Sequence, residues 1–134
     1  MKLMIESRVA EALGRAALAA APLEACGLCG GRDGRVTEFH ALTNADASAE
    51  HFSMLPAEQF KAIKAMRASG AALAAIWHSH PATPARLSDE DLRLAWTPDT
   101  VYLITSLAGP GGPVLRGYVV KGGRPEPVDL EECS

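Results

Sequence analysis

Apolar and polar positions recur along this chain with a period that changes repeatedly, and each change marks a new element. Residues 2–5 fit a short strand. Ser7 stands as the N-cap of a helix over residues 8–20, which gathers Val9, Leu13, Ala16, Ala17 and Ala20 on one face before Pro22 ends it. Glu24 to Gly30 reads as a strand, Gly31 to Gly34 as a tight turn, and Arg35 to Leu42 as the return strand of a hairpin. A polar loop over Asn44 to Glu50 leads to an extended piece at His51 to Met54. Pro56 then opens a helix to about Ser69, with Phe60, Ile63 and Met66 facing inward and Glu58, Lys61, Lys64 and Arg67 outward.

Beyond Gly70 the apolar run Ala71 to Trp77 leads straight into His78-Ser79-His80-Pro81, as in a strand buried on both faces at the centre of a sheet. Pro81 and Pro84 mark a loop. Ser88-Asp89-Glu90-Asp91 opens a helix to about Trp96, with Pro98-Asp99 as its breaker. Val101 to Leu107 and Val114 to Val120 form an antiparallel pair about the turn Gly109 to Gly112, and Gly122-Gly123 turns into a last strand ending near Leu130. The sum is a mixed sheet flanked by helices, an α/β sandwich without repeats or an interdomain linker.

The 134 residues, 48% of them hydrophobic, suffice for one domain with a single core. Thirteen basic against sixteen acidic side chains give a net charge of −3, and no Lys/Arg cluster offers a footprint for a nucleic-acid backbone. The longest apolar-rich run, Ala16 to Leu23, is far shorter than the ~20 residues that cross a bilayer. The first residues lack the apolar stretch and cleavage site of a signal peptide, so a cytoplasmic protein is expected. Cys26 and Cys29 are three apart, but no second pair completes a structural zinc site; they read as small apolar side chains in a buried strand. Cys133 has no assigned role.

Side chains at i and i+2 of an extended segment point the same way, with Cα atoms about 6.6 Å apart. His78 and His80 thus aim two imidazoles at one point where the buried strand emerges, which is where open α/β sheets place ligands. Two histidines and one carboxylate form a known catalytic zinc set with the fourth position left for water. Asp91 supplies the carboxylate if the proline loop folds the next helix back over the strand end. A pair of ordinary edge histidines stays open on this dipeptide alone. Ser88-x-x-Asp91 also matches a capping box, a role compatible with catalysis because it fixes both side chains.

His78-Ser79-His80, seven residues, Ser88, two residues and Asp91 together reproduce H-[ST]-H-x7-S-x2-D, and the chain thereby resembles the JAMM/MPN+ metalloprotease family. Pro22-Leu23-Glu24-Ala25-Cys26-Gly27-Leu28 resembles that family's upstream glutamate segment. His51 to Met54, Pro56 and Val101 to Leu107 fall where short bacterial members have their elements, so the resemblance spans nearly the whole chain. It implies one domain over residues 1–134 with a cytidine-deaminase-like α/β/α sandwich fold. It further implies one Zn2+ per chain held by His78, His80 and Asp91 with a bound water, Glu24 as general acid/base, and Ser88 supporting the oxyanion.

Chain-cleaving deubiquitinases of the family carry insertions for which this chain has no room. Short bacterial members resemble hydrolases of ubiquitin-like β-grasp sulfur carriers ending in Gly-Gly, so the expected activity is a peptidase or isopeptidase cutting after such a tail. Cysteine, a conjugated lysine or a C-terminal extension is the leaving group, and the sequence does not choose among them. A nucleobase deaminase is excluded, because H-x-E followed by P-C-x-x-C is absent. A non-catalytic scaffold domain and a zinc amidase on small peptides are the alternatives.

Overall fold

The computed structural model describes residues 1–95 and 99–134; Trp96 and Pro98, the expected helix end and breaker, lie outside them. In chain order the elements are β1 (Lys2–Glu6), α1 (Ser7–Ala20), β2 (Cys26–Arg32), β3 (Arg35–Leu42), α2 (Pro56–Ala68), β4 (Ala72–His80), α3 (Asp89–Leu94), β5 (Val101–Ser106), β6 (Val114–Lys121) and β7 (Arg124–Cys133). The result is a mixed α/β fold. Its sheet runs β1-β3-β2-β4-β5-β6-β7 and closes on itself, with β1 parallel to both β3 and β7, β4 parallel to β5, and the remaining pairs antiparallel.

Closure is not carried by the hydrophobic pattern. It depends on β7 continuing past Leu130, since three of the five β7 residues that pair with β1 are Glu131, Glu132 and Cys133. Two of the hairpins turn where expected. Asp33-Gly34 and Gly122-Gly123 both have positive φ at the two central positions, the backbone that a two-residue hairpin turn with right-handed strand twist requires.

β4 lies between β2 and β5, as its apolar run predicts, although Ala72 and Leu73 at its start are exposed. On one face Ala75 and Trp77 join Val9, Leu13 and Ala17 of α1 in the main core. Trp77 is fully buried, donates its indole N–H to Thr105 Oγ1 at 2.9 Å, and meets Phe39 edge-on. The other face carries Ile76, which packs against the cluster of Leu28, Ala62 and Met66 from α2's side and against the cluster of Leu87, Tyr102 and Ile104 near α3. By the period of two, His78 and His80 share this second face.

Three local expectations need correction. Ser7 is the first residue of α1 rather than its cap; Glu6, the last residue of β1, takes the N-cap place without a side-chain cap bond, because the strand itself supplies the extended backbone. Glu24 precedes β2 rather than lying in it. Phe60 does not face inward: it is 66% exposed, whereas Ala62 and Met66 carry the buried face of α2 and Lys64 lies over the Phe60 ring. No described helix is long and apolar enough to cross a membrane.

The register of α2 gives a direct test. Met66→Ala should destabilise the protein by about 2–4 kcal/mol through the cavity it leaves. Phe60→Ala should cost less than about 1 kcal/mol, since its ring has little burial to lose. Urea unfolding of both variants checks this, and equal losses would place Phe60 in the core.

Candidate metal centre

The site forms where β4 ends. Burial fixes His78 and His80 at 1% and 3% exposure, and pairing with β2 sets Cys26 opposite His78. One residue further along, Ala25 and Ser79 bond twice: Ser79 N donates to Ala25 O at 3.0 Å, and Ser79 Oγ accepts from Ala25 N at 2.8 Å. The middle residue of the His-Ser-His run is thus turned away from the imidazoles and fastens the segment that carries Glu24.

Asp91 arrives from the other side. The loop after β4 is pinned by Ser106 Oγ donating to Thr83 O at 2.6 Å, by Tyr118 OH donating to Ala85 O at 2.7 Å, and by the burial of Leu87. α3 then starts with a full capping box: Asp91 N donates to Ser88 Oγ at 3.0 Å, and Ser88 N donates to Asp91 Oδ2 at 2.9 Å. The same Oδ2 stands 3.2 Å from Nε2 of His78 and 3.2 Å from Nε2 of His80, and the two Nε2 atoms are 3.0 Å apart. Three ligand-type atoms thus make a nearly equilateral triangle. A tetrahedral ion with ligands about 2.0–2.1 Å away holds its donors about 3.3–3.4 Å apart, so the triangle fits such an ion with small adjustments.

The hydrogen-bonding state of the ring nitrogens agrees with that fit. His80 Nδ1 is 2.9 Å from Pro84 O, which can only accept; Nδ1 therefore carries a proton, and in the neutral ring Nε2 keeps its lone pair toward the centre, whereas in the protonated ring it donates to Asp91. His78 Nδ1 is buried without a partner, and the Phe52 ring stacks on the imidazole at 4.7 Å between centroids. Burial lowers the pKa of His78, against the pull of Asp91. Burial would lower that of His80 too, but its bonds to Asp91 and Pro84 leave it raised. Burial opposes ionisation of Asp91, yet hydrogen bonds from both histidines hold its carboxyl well below the usual range.

Glu24 stands beside the triangle, 4% exposed, with Oε1 lacking any hydrogen-bond partner. Burial pushes its pKa up to about 7, with His80 and His51 opposing and Asp91 and Glu90 reinforcing the shift. Ser88 is exposed, and its Oγ accepts the Asp91 N–H, which leaves the hydroxyl proton free to donate. His80, Thr83, Pro84, Leu87 and Ser88 line a cleft of about 440 Å³.

The thiols of Cys26 and Cys29 are buried, and burial pushes both up to about 12, far from the range of a nucleophile or ligand at neutral pH. His40 pairs with Glu38 and takes no part in the site. Sequence reasoning missed Phe52, Ser79 and Asn44. Ser79 and Asn44 act through backbone contacts across the fold, and nothing in the local pattern marks such contacts.

A mixed α/β fold with two buried imidazoles, a carboxylate and a second isolated carboxylate at one strand end defines a candidate mononuclear metal hydrolase. Comparison with known proteins makes the class specific. Residues 6–116 match the family model for prokaryotic homologs of the JAB domain, and the chain belongs to that family. The CysO-cysteine peptidases of Mycobacterium tuberculosis and Mycobacterium bovis are 36% identical over 115 residues, covering 83% of this chain and 79% of theirs. The solution structure of protein DSY2949 from Desulfitobacterium hafniense is 43% identical, with a TM-score of 0.90 over 98% of this chain and 93% of that one. The JAB1/MPN domain protein AF2198 from Archaeoglobus fulgidus, 23% identical with a TM-score of 0.67 over the full length of both chains, shares the fold.

The raised pKa of Glu24 predicts a pH dependence in metal-free protein. Between about 4.5 and 7 the folded chain holds a proton that the unfolded chain has released, so this group's contribution to stability is full below 4.5 and declines as pH rises to 7. Glu24→Gln removes that decline. Urea unfolding of chelator-treated proteins should show the variant gaining on wild type from pH 4.5 to 7 and holding that gain at pH 8. A difference independent of pH would contradict a buried, proton-binding Glu24.

Proposed function

We propose that this protein is a zinc-dependent peptidase that hydrolyses the amide bond after the C-terminal Gly-Gly of a ubiquitin-like β-grasp sulfur carrier. The observation that carries the reading is the triangle of His78 Nε2, His80 Nε2 and Asp91 Oδ2, with sides of 3.0–3.2 Å. These three residues hold one zinc ion. The metal, when bound, supplies a Lewis acid and acidifies water at neutral pH.

The rest of the chemistry belongs to the chain. Glu24, with a pKa near neutrality and no competing hydrogen bond on Oε1, takes a proton from the attacking water and returns it to the departing amine. Ser88, its Oγ lone pair engaged by Asp91 N–H, turns its O–H to the carbonyl oxygen as negative charge develops there. A Gly-Gly tail, without side chains, fits a narrow groove in extended form. The name of the mycobacterial relatives supports a carrier ending in cysteine as the substrate, with cysteine rather than a lysine conjugate leaving. The family resemblance supports the cytidine-deaminase-like α/β/α reading, with α1 on one face of the sheet and α2 and α3 on the other. The domain spans residues 1–134, because the pairing that closes the sheet includes Lys2 and Cys133. Reduced Cys26, Cys29 and Cys133 fit a cytoplasmic setting.

Purified protein should contain close to one zinc per chain by elemental analysis, and His78→Ala with His80→Ala should abolish it. Retention of metal in the double variant would refute the ligand set. Replacing both Cys26 and Cys29 by Ala should leave the stoichiometry unchanged.

Mass spectrometry should show cysteine released from a β-grasp carrier extended by one cysteine after Gly-Gly. Glu24→Gln should keep the zinc and lose roughly 10²–10⁴-fold in kcat, with little change in KM. Near-normal kcat would remove Glu24 from the mechanism. Ser88→Ala should slow turnover and also lower the melting midpoint, since it loses a cap of ~1 kcal/mol.

A further inference from the structure

The Glu24 carboxylate has no hydrogen bond on Oε1 to orient it, so its place is set by its backbone. Part of that backbone is held by one side chain outside the cluster. Asn44 Nδ2 donates to Glu24 O at 3.1 Å, to His51 O at 3.1 Å and, at longer range, to Ser48 O at 3.5 Å. Its Oδ1 accepts from Asp46 N at 3.0 Å and Ser53 N at 3.3 Å. Glu24 N in turn donates to Ser48 O at 2.8 Å. The loop of residues 44–53 is thus folded about the Asn44 amide together with the Asp46 carboxylate, which meets His51 Nδ1 and Ser53 Oγ at 2.8 Å each, and it is fastened to Glu24 by Asn44 Nδ2 and Ser48 O. The same loop carries Phe52, whose ring stacks on His78.

We propose that Asn44 is a positioning residue for the reaction: by tying the 44–53 loop to the Glu24 backbone it sets where the Glu24 carboxylate stands relative to His78 and His80. The two halves of the Asn44 amide do separate jobs. The oxygen folds the loop through Asp46 and Ser53, while the nitrogen joins the loop to Glu24 and His51. Ala25, one residue on, is fastened independently by Ser79. Asn44 therefore governs Glu24 and leaves the following strand, with the imidazoles paired to it, in place. This inference rests on Glu24 being the acid/base.

Asn44→Asp keeps the acceptor oxygens and removes the donor, and Asn44→Ser, too short to span Glu24 and His51, serves as a second variant. In metal-free protein, hydrogen exchange at the Glu24 amide should accelerate by about ten-fold or more, while exchange at the Ala25 amide changes by less than about two-fold. With zinc bound at the wild-type stoichiometry, kcat on the cysteine-extended carrier should fall about 10–100-fold while KM stays within about three-fold. In a Glu24→Gln background the same Asn44 substitution should change kcat by less than about three-fold, because the group it positions is already gone.

Unchanged Glu24 exchange overturns the proposal, as does a full further loss of kcat in the Glu24→Gln background, which marks a general structural role. If neither variant folds, Asn44 is a determinant of the fold and the positioning role is lost. Should Glu24→Gln alone retain normal kcat, or the wild type fail to turn the carrier over, it is the functional reading that falls; the exchange measurement then decides the tether by itself.

Discussion

Oδ2 of Asp91 accepts the backbone N–H that caps α3 and at the same time faces both buried imidazoles. The other parts of the site depend on this shared oxygen. A carboxylate this close to buried histidines stays ionised only because hydrogen bonds and the positive end of a capped helix compensate for lost solvation. α3 is short, so its direction comes from its cap and from the loop before it rather than from its own cooperativity. That loop is in turn anchored by Ser106 on β5 and Tyr118 on β6. The position of one oxygen atom thus rests on strands well separated from it in sequence, and a sheet closed by β7 on β1 gives those strands a fixed relation.

The division of β4 into two faces allows a polar cluster to be buried without dissolving the core. Ala75 and Trp77 face α1, with the indole N–H satisfied by Thr105, so the main core stays apolar and fully bonded. Ile76 holds the opposite face between the clusters near α2 and α3, and His78 and His80 extend that face to the strand end. Ser79, between them, spends its hydroxyl on Ala25 instead of on the site. Alternation along a single strand therefore separates packing from chemistry, residue by residue.

What the sequence discloses depends on how locally each feature is encoded. The spacing of His78, His80, Ser88 and Asp91 spans a strand end, one loop and one helical turn, and the structure brings all four together. The elements were legible for the same reason, with hairpin turns written as Asp33-Gly34 and Gly122-Gly123. Glu24 could be reached only through family resemblance, because its approach to the histidines is a product of β2–β4 pairing. Asn44 shows in the sequence only as part of a polar loop, and Phe52 only as part of the extended piece that follows it. Sheet closure depends on a register between residues at opposite ends of the chain, and helical spacing alone assigns apolar Phe60 to the core, whereas small Ala62 is buried on α2.

Among the described residues, two buried side-chain polar atoms, Glu24 Oε1 and His78 Nδ1, have no hydrogen-bond partner. Each costs on the order of 1–3 kcal/mol, a large share of the stability of a small domain. Packing alone would favour apolar side chains at both places, and neither residue contributes to the hydrophobic clusters. For Glu24 the cost becomes intelligible if, as proposed, Oε1 is kept free for proton transfer. A hydrogen bond that stabilised the Glu24 carboxylate would lower its proton affinity away from neutrality and occupy the oxygen needed for transfer. Orientation must then come from somewhere other than the carboxylate. The structure meets that need through the main chain, with Ser48 and Asn44 holding residue 24 and Ser79 holding residue 25. Restraint is placed on the backbone so that the side chain remains chemically available.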